Sequence, residues 1–314
     1  MKTARSIVAA AAALLDLPES AVIMASTGII GVQLPGEKIR RSLPRLAKGL
    51  SVGGSAAAEA IMTTDTVPKE TALELRLGGG DRVRIGGMAK GSGMINPDMA
   101  TMLAFVTTDA AISRSLLAGL LRRSGDETFN RITVDGDCST NDTVLAMANG
   151  ASGVDVTAGS GREKLFADGL TEVCRRLAVM IVRDGEGATK FVEVRVTGAR
   201  SKADALKAAR AVANSALVKT AWFGQDLNWG RILAALGYSG ARIDVGRISV
   251  DLNGQAVVRE GAAAPREEYS RARKQMRRKD LLFLIDLGMG RGEESVLTCD
   301  LSLDYVRENA LYTT

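Results

Sequence analysis

The chain has 314 residues, 46% hydrophobic and 25% charged, which fits a globular protein with a sizeable core in one large domain or two. It contains no histidine, and its three cysteines, Cys138, Cys174 and Cys299, form no CxxC pair. A histidine-dependent metal site, a Ser–His–Asp triad, a Cys–His pair and a disulfide framework are therefore excluded, and the cysteine usage suits a reducing, cytoplasmic compartment. The net charge of +5 is a mild excess, and the densest basic run, residues 270–280, has helical spacing without interleaved aromatics, so it reads as a solvated helix face and not as a nucleic-acid site.

At the N-terminus, basic residues precede an alanine–leucine run, as in a signal peptide, but Ile7, Ala10, Leu14 and Leu15 also fit one face of a short helix ending at "DLPES". No run of 18 apolar residues exists, so no membrane span is expected. A strand is expected at 21–25, then a turn between Gly28 and Gly31, a helix over 37–49 bent at Pro44, and a small helix in "GSAAAEAIMTTD". Alternating strands at 72–78 and 82–88 flank the turn "GGGD". A loop of glycine, proline and methionine leads into a strand opening at Thr101. A helix near 112–122, a strand at "FNRITVDGD" and a helix capped at "STND" follow, the last because Ser139 and Asn141 are natural N-cap residues. Helices over 161–182, 202–220, "NWGRILAALG" and 266–279 alternate with strands at "FVEVRVTGA", "RISVDLNG", "LLFLIDLG" and "ESVLTCDLS". The order lacks a regular βαβ rhythm and indicates an α+β fold, mixed sheets covered by helices.

Two glycine-rich stretches fail as nucleotide sites. In "GGMAKGSG" Lys90 precedes Gly91, which breaks the P-loop spacing, and "GVDVTAGSG" lacks a strand–glycine–helix context. Without histidine, acyl chemistry needs another base. Cutting the chain before a threonine supplies one, because the freed α-amine has a pKa near 8 (about 7.7–8.0) and can take the hydroxyl proton of the same residue. Thr101 suits this by position: Ala100 before it is small, and Gly91, Gly93 and Pro97 shape the preceding loop. Threonine also opens ordinary strands, so the residues alone leave the role of Thr101 open.

The block "KGSGMINPDMATML" closely resembles the self-processing sequence of the ornithine acetyltransferases, also called glutamate N-acetyltransferases. "ASTGIIG" (25–31), "EAIMTTDTVPK" (59–69), "FNRITVDGDCSTNDT" (129–143), "RDGEGATK" (183–190), "FGQDLNWGRILAALGYSG" (223–240) and "CDLSLDYVRENALYTT" (299–314) resemble further blocks in the same order. The resemblance implies a layered αββα-type arrangement that is Ntn-hydrolase-like in mechanism. It implies self-cleavage between Ala100 and Thr101, giving an α chain of 1–100 and a β chain of 101–314, with an α2β2 assembly expected. Thr101 would be the nucleophile that takes acetyl from N2-acetylornithine and passes it to L-glutamate by a ping-pong threonyl ester, without metal or prosthetic group. Thr27 and Gly28 would form the oxyanion hole. Thr64, Lys90, Glu186, Asn309 and Thr314 would contact substrate, Lys90 neutralising an α-carboxylate and Glu186 meeting the ornithine ammonium. Taken singly, Lys90 reads as a surface lysine and Glu186 as a helix-end charge. Family members differ in whether they also accept acetyl-CoA, and no residue here decides it.

The chain departs from the family pattern in three places. Several tens of residues usually precede the first helix, so a missing front segment is expected. Leu227 stands where the family usually has proline, and Cys138 where it has threonine. The resemblance also leaves two competing expectations: a related self-cleaving amidase or aminopeptidase releasing acyl groups to water, and an uncleaved inactive homologue.

Overall fold

The computed structural model describes residues 1–50, 54–96 and 102–311. Helices α1 (Lys2–Leu15), α2 (Gly36–Lys48) and α3 (Gly54–Ala60) come first. The helical reading of the N-terminus is thus observed. The apolar stretch after α1 forms no strand; it is a single 3-10 turn at Glu19–Ala21 followed by irregular chain, with Ile23 69% exposed, so it finds no pairing partner among the described residues.

Strands β1 (Lys69–Arg76) and β2 (Arg82–Lys90) form the expected hairpin, with Arg76 paired to Arg82. Next come β3 (Leu103–Thr108), the two-residue β4 (Ala111–Ile112), α4 (Arg114–Glu127), β5 (Thr143–Ala148), β6 (Asp155–Val156) and α5 (Gly161–Arg183). β1, β2, β3 and β5 lie side by side in that order in one sheet, antiparallel except for the parallel β3–β5 pair. Its inward residues Val83, Ile85, Ala104 and Val106 pack against Phe166, Leu170, Val173 and Leu177 of α5. The long apolar stripe of α5, started by a Ser160 side chain that accepts the Glu163 N–H, is what buries that face.

The remaining elements are β7 (Phe191–Ala199), α6 (Lys202–Ala213), α7 (Ala216–Phe223), α8 (Trp229–Tyr238), β8 (Ser249–Leu252), β9 (Gln255–Arg259), β10 (Ala262–Ala263), α9 (Arg266–Gln275), β11 (Asp280–Asp286), β12 (Gly292–Cys299) and α10 (Leu303–Leu311). A six-stranded mixed sheet runs β10-β9-β8-β11-β7-β12, with β7 and β11 parallel. A second core forms where Val192, Val194, Val250, Phe283 and Val296 meet α6 to α9, among them Val212, Trp222 and Ile232. The α+β class with mixed sheets covered by helices is therefore observed, and each core lies between a sheet and its helices.

Three further expectations give way. "FNRITVDGD" is a 3-10 turn at Phe129–Arg131 and a single bridge from Ile132 to Leu297, not a strand, because its polar groups serve the neighbouring loop. "STND" starts no helix; Thr143 enters β5 instead, where Val144 and Ala146 pack on the core beside β3. The 202–220 helix is two helices, broken at Asn214, whose side chain is occupied by Thr133 and Asn96, with Ser215 capping the second.

Candidate active site

A cavity of about 470 Å³ opens beside α10 and is lined by Thr64, Glu186, Arg307, Glu308, Asn309 and Leu311. Asn309 Nδ2 donates to Glu186 Oε2 at 2.9 Å, so the last helix holds the carboxylate. The Glu186 N–H donates to the Ser92 carbonyl at 2.9 Å, and the Ser92 and Thr64 hydroxyls are 2.6 Å apart. Glu186 is 9% exposed, packed over Gly93 so closely that a Cβ there would lie 2.5 Å from the carboxylate. A side chain at Gly93 would displace the Glu186 carboxylate from this position.

Behind this wall lies a buried ion network. Lys69 is fully buried and donates to Asp65 Oδ1 and Asp184 Oδ2, both at 2.6 Å. Asp65 also accepts the Gly91 N–H at 2.7 Å and the Thr63 N–H at 3.1 Å, and Asp184 accepts from the N–H and hydroxyl of Thr66. Burial pushes the Asp65 carboxyl up, but the Gly91 and Thr63 N–H groups and the Lys69 ammonium outweigh it and hold it below the ordinary carboxylate range. The network thereby ties the Thr64 turn, the end of β2 and the 184–187 turn together.

Lys90, at the end of β2 and paired through its backbone with Leu103, is 3% exposed. Burial pushes its ammonium pKa down; the charges of Asp65, Glu186 and Asp142 pull it back up, and that of Lys69 depresses it further.

The loop after β2 is held by the 133–143 segment. Asp135 accepts from Met94 N at 2.6 Å and Ile95 N at 3.1 Å, while Ile95 O accepts from Val134 N and the Thr133 hydroxyl. Burial pushes the Asp135 carboxyl up, against the N–H groups that stabilise its charge. On the far side, Asp142 Oδ1 accepts the Met102 N–H at 2.9 Å.

The sequence model of the ArgJ family matches residues 1–314. The chain belongs to the ArgJ family. It is 50% identical to the "Arginine biosynthesis bifunctional protein ArgJ" of Symbiobacterium thermophilum, over 100% of this chain and 78% of that relative. It is 47% identical to the "Glutamate N-acetyltransferase" of Methanocaldococcus jannaschii, over 100% of this chain and 80% of the relative. A crystal structure of the Bacillus halodurans ArgJ bifunctional protein superposes with a TM-score of 0.61 at 38% identity, covering 66% of this chain and 98% of that one.

Of the residues singled out in the sequence, Thr64, Glu186 and Asn309 meet in this cavity, and Lys90 lies in the electrostatic reach of Glu186. Ala100, Thr101 and Thr314 lie outside the described residues. Thr27 and Gly28 do not line this cavity; they sit on the irregular segment before α2, with Gly28 exposed and open space where its Cβ would be. Sequence reasoning missed Asp65, Lys69, Ser92, Asp135, Asp142 and Asp184. Asp65 and Lys69 stand in one resembling block and Asp135 and Asp142 in another, yet the pairing of block to block exists only in the fold.

Proposed function

We propose that this ArgJ-family protein is a self-cleaving glutamate N-acetyltransferase that moves acetyl from N2-acetylornithine to L-glutamate in arginine biosynthesis. The observation that carries the reading is the convergence of Thr64, Glu186 and Asn309, drawn from three distant segments, on one cavity within the field of the Lys90 ammonium. Both substrates bring an α-carboxylate, which the Lys90 ammonium neutralises; the donor also brings a side-chain ammonium, which Glu186, held by Asn309, accepts.

In this reading the chain divides between Ala100 and Thr101, into 1–100 and 101–314. The Thr101 hydroxyl attacks the acetyl carbonyl while its own α-amine takes the hydroxyl proton; the C–N bond breaks and ornithine leaves with that proton on its α-nitrogen. The glutamate α-amine then attacks the threonyl ester, the amine proton returns to Thr101, and N-acetylglutamate departs. The resemblance alone, and not the cavity lining, assigns Thr27 and Gly28 the oxyanion of each tetrahedral intermediate and Thr314 a substrate contact. The assembly is α2β2 in the cytoplasm.

The test is an intact mass of the purified protein, followed by transfer assays. Two species matching 1–100 and 101–314, with acetyl release that requires glutamate, are expected. Acetyl release to water without glutamate overturns the transferase in favour of an amidase, and a Thr101→Ala variant that keeps full activity overturns the nucleophile. The same assay with acetyl-CoA as donor decides whether a second donor is used.

A further inference from the structure

The 133–143 segment grips the chain on both sides of residues 97–101. Upstream, Asp135 takes the Met94 and Ile95 N–H groups. Downstream, Asp142 takes the Met102 N–H at 2.9 Å, and the Thr143 N–H donates to the Met102 carbonyl at 3.0 Å. The Met102 side chain is buried in the core beside β3, so this residue is fixed at both its backbone and its side chain. The N–H that Asp142 holds belongs to the peptide joining Thr101 to Met102. A carboxylate therefore lies against an atom one bond from the Thr101 carbonyl carbon. The bond spans 40 residues of sequence, unlike the local turn in which the Ser139 hydroxyl accepts the Asn141 N–H. It is a tertiary contact.

We propose that Asp142 is the positioning residue for Thr101, fixing the peptide on its carboxyl side through the Met102 N–H during both self-cleavage and acetyl transfer. This rests on Thr101 being the nucleophile. Its physical basis is geometric: an unpinned strand end lets the adjacent residue rotate, and a misplacement of about 1 Å in a reacting group costs on the order of 100-fold in rate. A strand-end cap with no bearing on chemistry is the competing explanation. It would lower stability without touching turnover.

Asp142→Ala and Asp142→Asn separate the two. The asparagine amide oxygen can still accept the Met102 N–H, whereas alanine offers nothing. We expect Asp142→Ala to slow self-cleavage, followed by intact mass, and to lower kcat by roughly 10- to 100-fold with KM for acetylornithine within about threefold. Asp142→Asn should recover both rates to within about fivefold of wild type. Thermal melts run alongside identify misfolded protein. The proposal fails if Asp142→Ala melts lower yet cleaves and turns over like wild type, or if Asp142→Asn is as slow as Asp142→Ala while equally well folded. Cleavage needs no substrate, so the arms remain distinct. A wild-type chain that stays whole overturns the nucleophile assignment and this proposal together. A wild type that cleaves but transfers no acetyl overturns the substrate reading alone.

Discussion

Lys69 and Asp142 show opposite ways of handling a charge away from water. The Lys69 ammonium is fully buried but has two carboxylate partners, so its neighbours answer for its desolvation. Replacing it by methionine keeps the volume and leaves Asp65 and Asp184 facing each other without a cation. The expected loss is about 3–5 kcal/mol of unfolding free energy, measured by urea titration. Asp142 is half-buried with weaker compensation: burial pushes its carboxyl up to about 6, against the Met102 N–H and the Lys90 charge, which pull it down. A carboxyl with a raised pKa binds its proton more tightly when folded, so it favours folding at low pH. That contribution is full below the unfolded value near 4 and disappears as pH rises through about 6. Wild type should therefore lose stability relative to Asp142→Asn between pH 4 and 6, and the difference should be flat above pH 7. Urea midpoints across that range check it.

The turn after α5 and the start of α10 form a joint on which the cavity depends. The Ser302 hydroxyl donates to the Gly187 carbonyl at 2.6 Å, and Gly187 has φ +63°, with the Tyr305 backbone nitrogen only 2.3 Å from where a Cβ would stand. Gly187→Ala cannot be absorbed by a side-chain shift; it must push α10 away from the turn. The expectation is a loss of about 1–3 kcal/mol, with KM for acetylornithine raised because Asn309 no longer holds Glu186. A variant with unchanged KM and melting temperature would show the joint to be slack. The sequence announced the glycines of "RDGEGATK" but not their partner, since α10 approaches from more than a hundred residues away. Where one element's own pattern decided the outcome, as in β7 with alternating buried Val192, Val194 and Val196, the expected boundaries and the observed ones agree. "STND" failed because its capping chemistry is local while β5 is drawn into a sheet by β3.

The two cores meet near Ile132, whose bridge to Leu297 links the site segment to the second sheet, and near Cys299, buried in the first core at the end of β12. Residues 1–100 contribute β1 and β2 to a sheet that 101–314 completes with β3 and β5, and α5 covers both halves. A cut between Ala100 and Thr101 therefore severs a connection that the β2–β3 ladder, from Ile85–Thr108 to Lys90–Leu103, continues to hold. Both pieces should co-elute on native size exclusion and separate only in denaturant. Fragments that part under native conditions would contradict this arrangement. Among the described residues no helix is long and apolar enough to cross a membrane.

Composition alone removed histidine chemistry, because a residue type that is absent cannot act in any fold. Periodicity placed most helices and the hairpin, because side-chain burial on one face depends on spacing within the element. Ordered blocks pointed to the family, since their residues stand in the chain itself. The meeting of Thr64 with Ser92, of Glu186 with Asn309, and of Asp142 with Met102 followed from none of these. Each joins groups far apart in sequence, and polar side chains reveal their partners only when burial forces them to find one.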